Sequence, residues 1–229
     1  MHKISKIREK KMNNLFGLIV SILYVGIIIV SAKVFEKAGK EASRKYIHIM
    51  LSNWWIIAMV FFDNMFWAAA APAIFVVINY LSYKKGIIKV MERDSSDENK
   101  ESLGTVYYAL SLLILALITF GPLNNPILGL CGILVMGYGD GLAAVIGQAV
   151  KSKEFIISGN KKSIAGSLTM FCVTLIIFVG FLVYSNSEYV AIKSILVAIL
   201  MTIVEAVSIK GTDNLTVPLI TSLLALLMV

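Results

Sequence analysis

The chain encodes an all-α fold, a polytopic membrane helix bundle of about seven to eight transmembrane helices. Apolar residues make up 58% of the 229 residues and charged residues 15%, against ~45–50% and ~25% in an ordinary soluble domain. Mean hydropathy is +0.83. Apolar runs close to the ~20 residues that cross a hydrocarbon core recur along the whole length. So little polar surface cannot face water, and lipid is the solvent. Runs of this length are helices and not barrel strands, because in lipid every backbone N–H and C=O must be paired internally.

The spans fall at about 15–35, 46–62, 65–83, 103–120, 126–149, 163–184 and 189–209, with a shorter one at 214–229. Residues 1–14 form a basic N-terminal tail, and residues 15–229 a single integral-membrane catalytic domain. The first run lacks a small-x-small cleavage site and is followed directly by Lys33 and Phe35, so it reads as a span and not a signal peptide. Cys131 and Cys172 lie inside apolar runs without metal-ligand or disulfide spacing and read as small core hydrophobes.

Two kinds of connection alternate. Asp63-Asn64, Gly121 to Pro126 and Ser185 to Glu188 are short and carry no Lys or Arg. The segments 33–45, 84–102, 151–162 and 210–213 hold fifteen. If all eight runs span, the two sets lie on opposite faces, and the basic one is cytoplasmic by the positive-inside rule. The tail opposes this, since Lys3, Lys6, Arg8, Lys10 and Lys11 fall on the other side. The net charge of +7 marks a basic membrane face, not a nucleic-acid site. Lys84 to Arg93 reads as an amphipathic stretch at headgroup level, and Ser95 to Glu101 as a solvated acidic turn.

Charges within or at the edge of a span are costly in lipid and mark function. Four clusters stand out. Arg44, Lys45 and His48 enter the second span, with Arg44 and His48 four apart on one helix face; such a trio can hold a phosphate. Gly137-Tyr138-Gly139-Asp140-Gly141 lies deep in an apolar run, with Ala143, Ala144 and Gly147 on the face of Asp140. Gly137 and Gly141 also make a small-xxx-small packing pair, which explains the glycines but not the acid. Lys161-Lys162-Ser163 runs through Gly166 to Ser167, where Ser163 or Ser167 can cap a helix whose N–H groups favour an anion. Glu205 sits in the seventh span, followed by Lys210-Gly211-Thr212-Asp213-Asn214 and Pro218; the turn at Gly211 lets Glu205 and Asp213 converge. Span alternation brings all four clusters to one membrane face. Asp140, Glu205 and Asp213 with Arg44, Lys45, Lys161, Lys162 and Lys210 are what a magnesium-bound polyphosphate requires.

These motifs resemble the polyprenol kinase family, which includes dolichol, phytol and farnesol kinases and the CTP-dependent diacylglycerol kinase. The resemblance runs from about Arg44 to Pro218, on R-K-x-x-H at 44–48, G-D-x-x-A with a following Gly at 139–147, K-K-S-x-x-G-S at 161–167 and E-x7-D-N-x3-P at 205–218. It implies a multi-span enzyme that uses CTP, or another nucleoside triphosphate, to phosphorylate the hydroxyl of a membrane lipid alcohol of phytol or polyprenol type, or diacylglycerol. Many members carry Glu where this chain has Ala165, which with Gly141 tilts the resemblance toward the phytol-kinase-like branch.

Phosphoryl transfer asks mainly for positioning and charge neutralisation. The expected roles are Mg2+ held by Asp140, Asp213 and Asn214, and phosphate contacts from Arg44, Lys45, Lys161, Lys162, Ser163, Gly166, Ser167 and Gly139. Glu205 or His48 orients or deprotonates the lipid hydroxyl beside Asp140. Phosphatidate cytidylyltransferase is the sister alternative, but its C-terminal lysine-aspartate and histidine-glycine-glycine signature is missing. CDP-alcohol phosphotransferases share only the opening of their motif, since Val145 replaces its Arg. An ion-coupled transporter could use Asp140 and Glu205 as carriers, but it has no need of so many cations beside them.

Overall fold

The computed structural model describes residues 2–85 and 103–229. The acidic turn at 95–101, and all but the first two residues of the headgroup-level stretch at 84–93, lie outside them.

The chain opens with α1 (His2–Phe35), so helix extends back through the basic tail. Asn14 exchanges hydrogen bonds with Asp63, its Nδ2 donating to Oδ1 at 2.9 Å and its Oδ1 accepting from the Asp63 N–H at 3.2 Å. At the other end the Ser43 hydroxyl donates to the Ala32 carbonyl at 2.9 Å. The first run therefore passes from the short-loop side to the basic side, and the tail lies beyond the short loops.

The expected 46–62 span is two helices, α2 (Lys40–Ser52) and α3 (Trp54–Phe61). They meet at Asn53, whose amide donates to the Ile49 and Met50 carbonyls at 3.3 and 3.4 Å. Such local side-chain bonding competes with the backbone ladder, and the Tyr138 hydroxyl secures the junction by donating to Asn53 Oδ1 at 3.1 Å. Then follow α4 (Met65–Lys85), α5 (Gly104–Thr119) and α6 (Pro126–Leu134), the last with proline in its first turn, where no N–H is missed. Val135–Asp140 winds as a π-helix and leads into α7 (Gly141–Ala149).

The connection read as a basic loop contains an antiparallel hairpin of β1 (Glu154–Ile157) and β2 (Asn160–Ser163). Its turn residues Ser158 and Gly159 have φ of 50° and 78°, positive at both central positions as the favoured two-residue hairpin turn requires. The chain closes with α8 (Ile164–Tyr184), α9 (Val190–Val207) and α10 (Asp213–Leu227).

Five of the described helical segments are long and apolar enough to cross a membrane, while α5 and α10 are shorter. Ile22, Ile27, Val30 and Val34 of α1, with Val60, Phe66 and Ile176, lie exposed. So much outward apolar surface suits lipid and not water. The protein is an integral membrane helix bundle. Over an eighteen-residue window of the Pro126–Ala149 segment 61% of the residues are buried, against 28–33% in such windows of the other four, so this is the central helix. It packs on α10 and α8, and Trp54, Trp55, Leu128, Met136, Met170 and Phe178 fill the core.

Close approach at the centre depends on glycine. A Cβ on Gly132 would collide with the Pro218 carbonyl and the Ser222 hydroxyl of α10. Gly132→Ala is expected to destabilise the protein by about 1–3 kcal/mol through overpacking, read as a lowered unfolding temperature in detergent.

Candidate active site

Helix α2 carries the first group of site residues. Its inward face buries Ser43, Lys45, Ile47, His48 and Ser52, and it lies close against the central helix because glycines face it. A Cβ on Gly137 would strike the Ser52 side chain, and one on Gly141 would strike Ile49. The small-xxx-small pair is thus a packing device that also brings the α2 cations onto Asp140.

Lys45 Nζ donates to Asp140 Oδ2 at 2.7 Å, with both side chains buried. His48 Nε2 lies 3.4 Å from the same carboxylate oxygen and 3.4 Å from the Met136 carbonyl. Two acceptors around one ring nitrogen mean that this nitrogen carries the proton. Tyr108 of α5 steadies the histidine, donating to its backbone carbonyl at 3.0 Å and meeting the ring edge-on at 4.6 Å between centroids. Arg44 lies half-buried beside Lys45, and its charge acts on His48.

The second group comes from the far end of the chain. Glu205, buried in α9, pairs with Lys162 of strand β2. Lys162 lies outside the spans. Burial opposes its charge, but Glu205, followed by Asp140 and Asp213, outweighs burial and raises its pKa above the ordinary lysine value, so it is charged at neutral pH. Asp213 opens α10 and accepts the Asn214 N–H at 2.9 Å. Asn214 Nδ2 donates to the Gly104 carbonyl at 2.9 Å, while its Oδ1 is buried without a partner among the described residues.

Oxygens of Asp140, Glu205 and Asp213 all lie within 4.8 Å of one another. Three carboxylates so close repel unless cations stand among them, and Lys45 and Lys162 do so. The donor set fits a hard divalent cation, which takes carboxylate and amide oxygens. Asn214 Oδ1, next to Asp213 in the first turn of α10, is a further buried oxygen with no donor among the described residues.

Other expected site residues lie elsewhere. Lys161 Nζ pairs with Glu154 Oε2 at 2.6 Å across the hairpin, the two side chains 69% and 52% exposed, because alternation along a strand turns it away from Lys162. Gly139 packs against Met170 of α8 and not toward the acids. Ser163 caps α8 by accepting the Gly166 N–H at 3.1 Å. The N–H groups of Ile164 and Ala165 are taken by the Lys153 carbonyl at 3.0 Å and the Ser152 hydroxyl at 3.1 Å. The helix start expected to bind an anion is therefore satisfied within the protein at Ile164, Ala165 and Gly166. Ser167 is half-buried one residue further on. Lys210 stands in the turn before α10 with φ of 51°.

Sequence reasoning passed over Tyr108, Glu154 and Ser152. Only Tyr108 leaves a signal, as a polar ring inside an apolar run.

The chain is 34% identical over 213 residues to phytol kinase of Synechocystis sp., covering 88% of this chain and 87% of that protein. It is 30% identical over 207 residues to phytol kinase 1, chloroplastic, of Arabidopsis thaliana, covering 82% of this chain and 66% of that one. It is 30% identical over 209 residues to a probable phytol kinase, chloroplastic, of Triticum aestivum, covering 82% and 68%. The chain thus spans about two thirds of these plant relatives. No family model matches it, and no solved structure matches it.

Proposed function

This chain belongs to the polyprenol/phytol kinase family, and from that premise we propose that it transfers the terminal phosphate of CTP to the hydroxyl of an isoprenoid alcohol of phytol type at the cytoplasmic membrane face. As a member it is a lipid-alcohol kinase. The observation that carries the finer reading is the gathering of Asp140, Glu205 and Asp213 around the ammonium groups of Lys45 and Lys162. The fifteen basic residues in the loops on that side against the five in the tail support the cytoplasmic orientation.

Asp140, Asp213 and Asn214 would hold Mg2+ in this reading, and the ion would supply neutralisation of the phosphate charge. Lys45 and His48 aim the Asp140 carboxylate. Arg44 and Lys162 neutralise the transferring phosphoryl group, and Lys161 draws the nucleotide from the surface. Glu205 accepts the hydroxyl proton. His48 is the poorer base because its Nε2 is already occupied against the Asp140 carboxylate and the Met136 carbonyl. The alcohol oxygen bonds to the terminal phosphorus, the bond to the bridging oxygen breaks, and a lipid monophosphate and nucleoside diphosphate result.

The test is purified protein with γ-labelled CTP or ATP and a panel of phytol, geranylgeraniol, dolichol and diacylglycerol. Label is expected in phytol or geranylgeraniol with CTP, and chelation by EDTA is expected to abolish it until Mg2+ is restored. Pyrophosphate release would instead indicate a cytidylyltransferase.

A further inference from the structure

A cavity of about 230 Å³ lies between α2 and α7, lined by Ala42, Lys45, Ala144, Val145, Gln148 and Ala149. Its inner end is set by Lys45, whose ammonium holds Asp140. Ala144 and Gln148 stand about one and two turns beyond Asp140 on the same face of α7, and Ala42 about one turn beyond Lys45 on α2. The two helices thus form a slot running from the carboxylates toward the basic membrane face, where α2 begins and α7 ends. Val145 is 40% exposed and Ile146 36% on the outer flank, an apolar edge within the last turns of α7 before Lys151, at the depth where the basic membrane face meets lipid.

We infer that this slot receives the hydroxyl-bearing end of the isoprenoid alcohol, entering sideways from the membrane, with Ala42, Ala144 and Ala149 leaving room for its branched carbons. The inference rests on the lipid-alcohol kinase reading and goes beyond it by locating the acceptor. At about 230 Å³ the slot is smaller than a site that swallows a whole ligand, ~300–1,000 Å³, so it seats the end of a chain whose remainder lies in lipid. The methyl and isopropyl groups of Ala42, Ala144, Val145 and Ala149 offer hydrocarbon contacts and nothing to the polar edge of a nucleobase. Gln148 alone has a polar group beyond Lys45. The nucleotide instead approaches from the hairpin side, where Lys162 sits.

Ala144→Leu fills the slot. Its KM for geranylgeraniol is expected to rise about tenfold or more, the order a misfit methyl or two imposes on a pocket, with KM for CTP unchanged. A rise confined to the CTP KM, or no change in either, overturns the assignment. A second measurement uses Ala42→Cys with Cys172, the exposed native thiol, changed to Ser. With metal chelated, saturating geranylgeraniol is expected to suppress maleimide modification of position 42, and CTP is not. Suppression by CTP alone, or none by the alcohol, overturns the assignment. Protection does not depend on turnover, so the two readings fail separately. Label transfer by wild-type protein with no protection of position 42 in the Ala42→Cys variant sinks the slot, and protection of that position with no label transfer by wild-type protein sinks the kinase.

Discussion

Asp140→Asn is expected to lower phosphoryl transfer by about 10³-fold or more, the scale on which a charge-neutralising group at a transferring phosphate acts. The protein is expected to remain folded in the membrane. Asn matches Asp in size, so the contacts of Gly137 and Gly141 with α2 are undisturbed, and its carbonyl still accepts from Lys45. What disappears is the negative charge shared among Lys45, His48 and the proposed cation. Activity in detergent, together with the unfolding temperature and binding of Mn2+ read by electron paramagnetic resonance with CTP present, separates these effects. Lost turnover and lost Mn2+ with unchanged folding is the expected result. Full activity removes Asp140 from the metal site.

Glu205→Gln is expected to reduce kcat by about 10²–10⁴-fold, the usual worth of a positioned general base, with KM for the alcohol little changed. Gln keeps a hydrogen bond to Lys162 but cannot take a proton. The acid limb of the kcat–pH profile is expected to vanish in this variant. In His48→Asn the limb is expected to persist at a smaller loss of rate, because His48 acts through Asp140 and the Met136 carbonyl. The reverse pattern assigns the base to His48. A double substitution, Glu205→Gln with Lys162→Met, is expected to be far from additive, since the two side chains form one pair.

Much of this arrangement is legible in the sequence. An apolar run announces its own place in lipid, and Asp140 and Glu205 are conspicuous because a carboxylate in such a run has few structural uses. The hairpin goes unread in the sequence, although a signal for it is there. Glu154 to Ile157 and a Ser-Gly pair carry a hairpin signal, but Lys151, Lys153, Lys161 and Lys162 present the segment as a solvated loop. The break at Asn53 leaves a fainter mark, one amide in an apolar run, whose effect depends on Tyr138 arriving from another helix.

Local chemistry along the chain was enough to say which segments lie in lipid, that the bundle is helical, and that acids and cations far apart in sequence share one membrane face. Span parity alone carries a residue to one side or the other. Packing decided the partners: Lys45 with Asp140, Lys162 with Glu205, and Lys161 drawn off to Glu154. A charge pair forms over a few ångströms, and that distance is set by how near two helices approach and how a strand is turned. Gly137 and Gly141 admit α2, and the hairpin turns one lysine inward and its neighbour out. No spacing within a single segment records either.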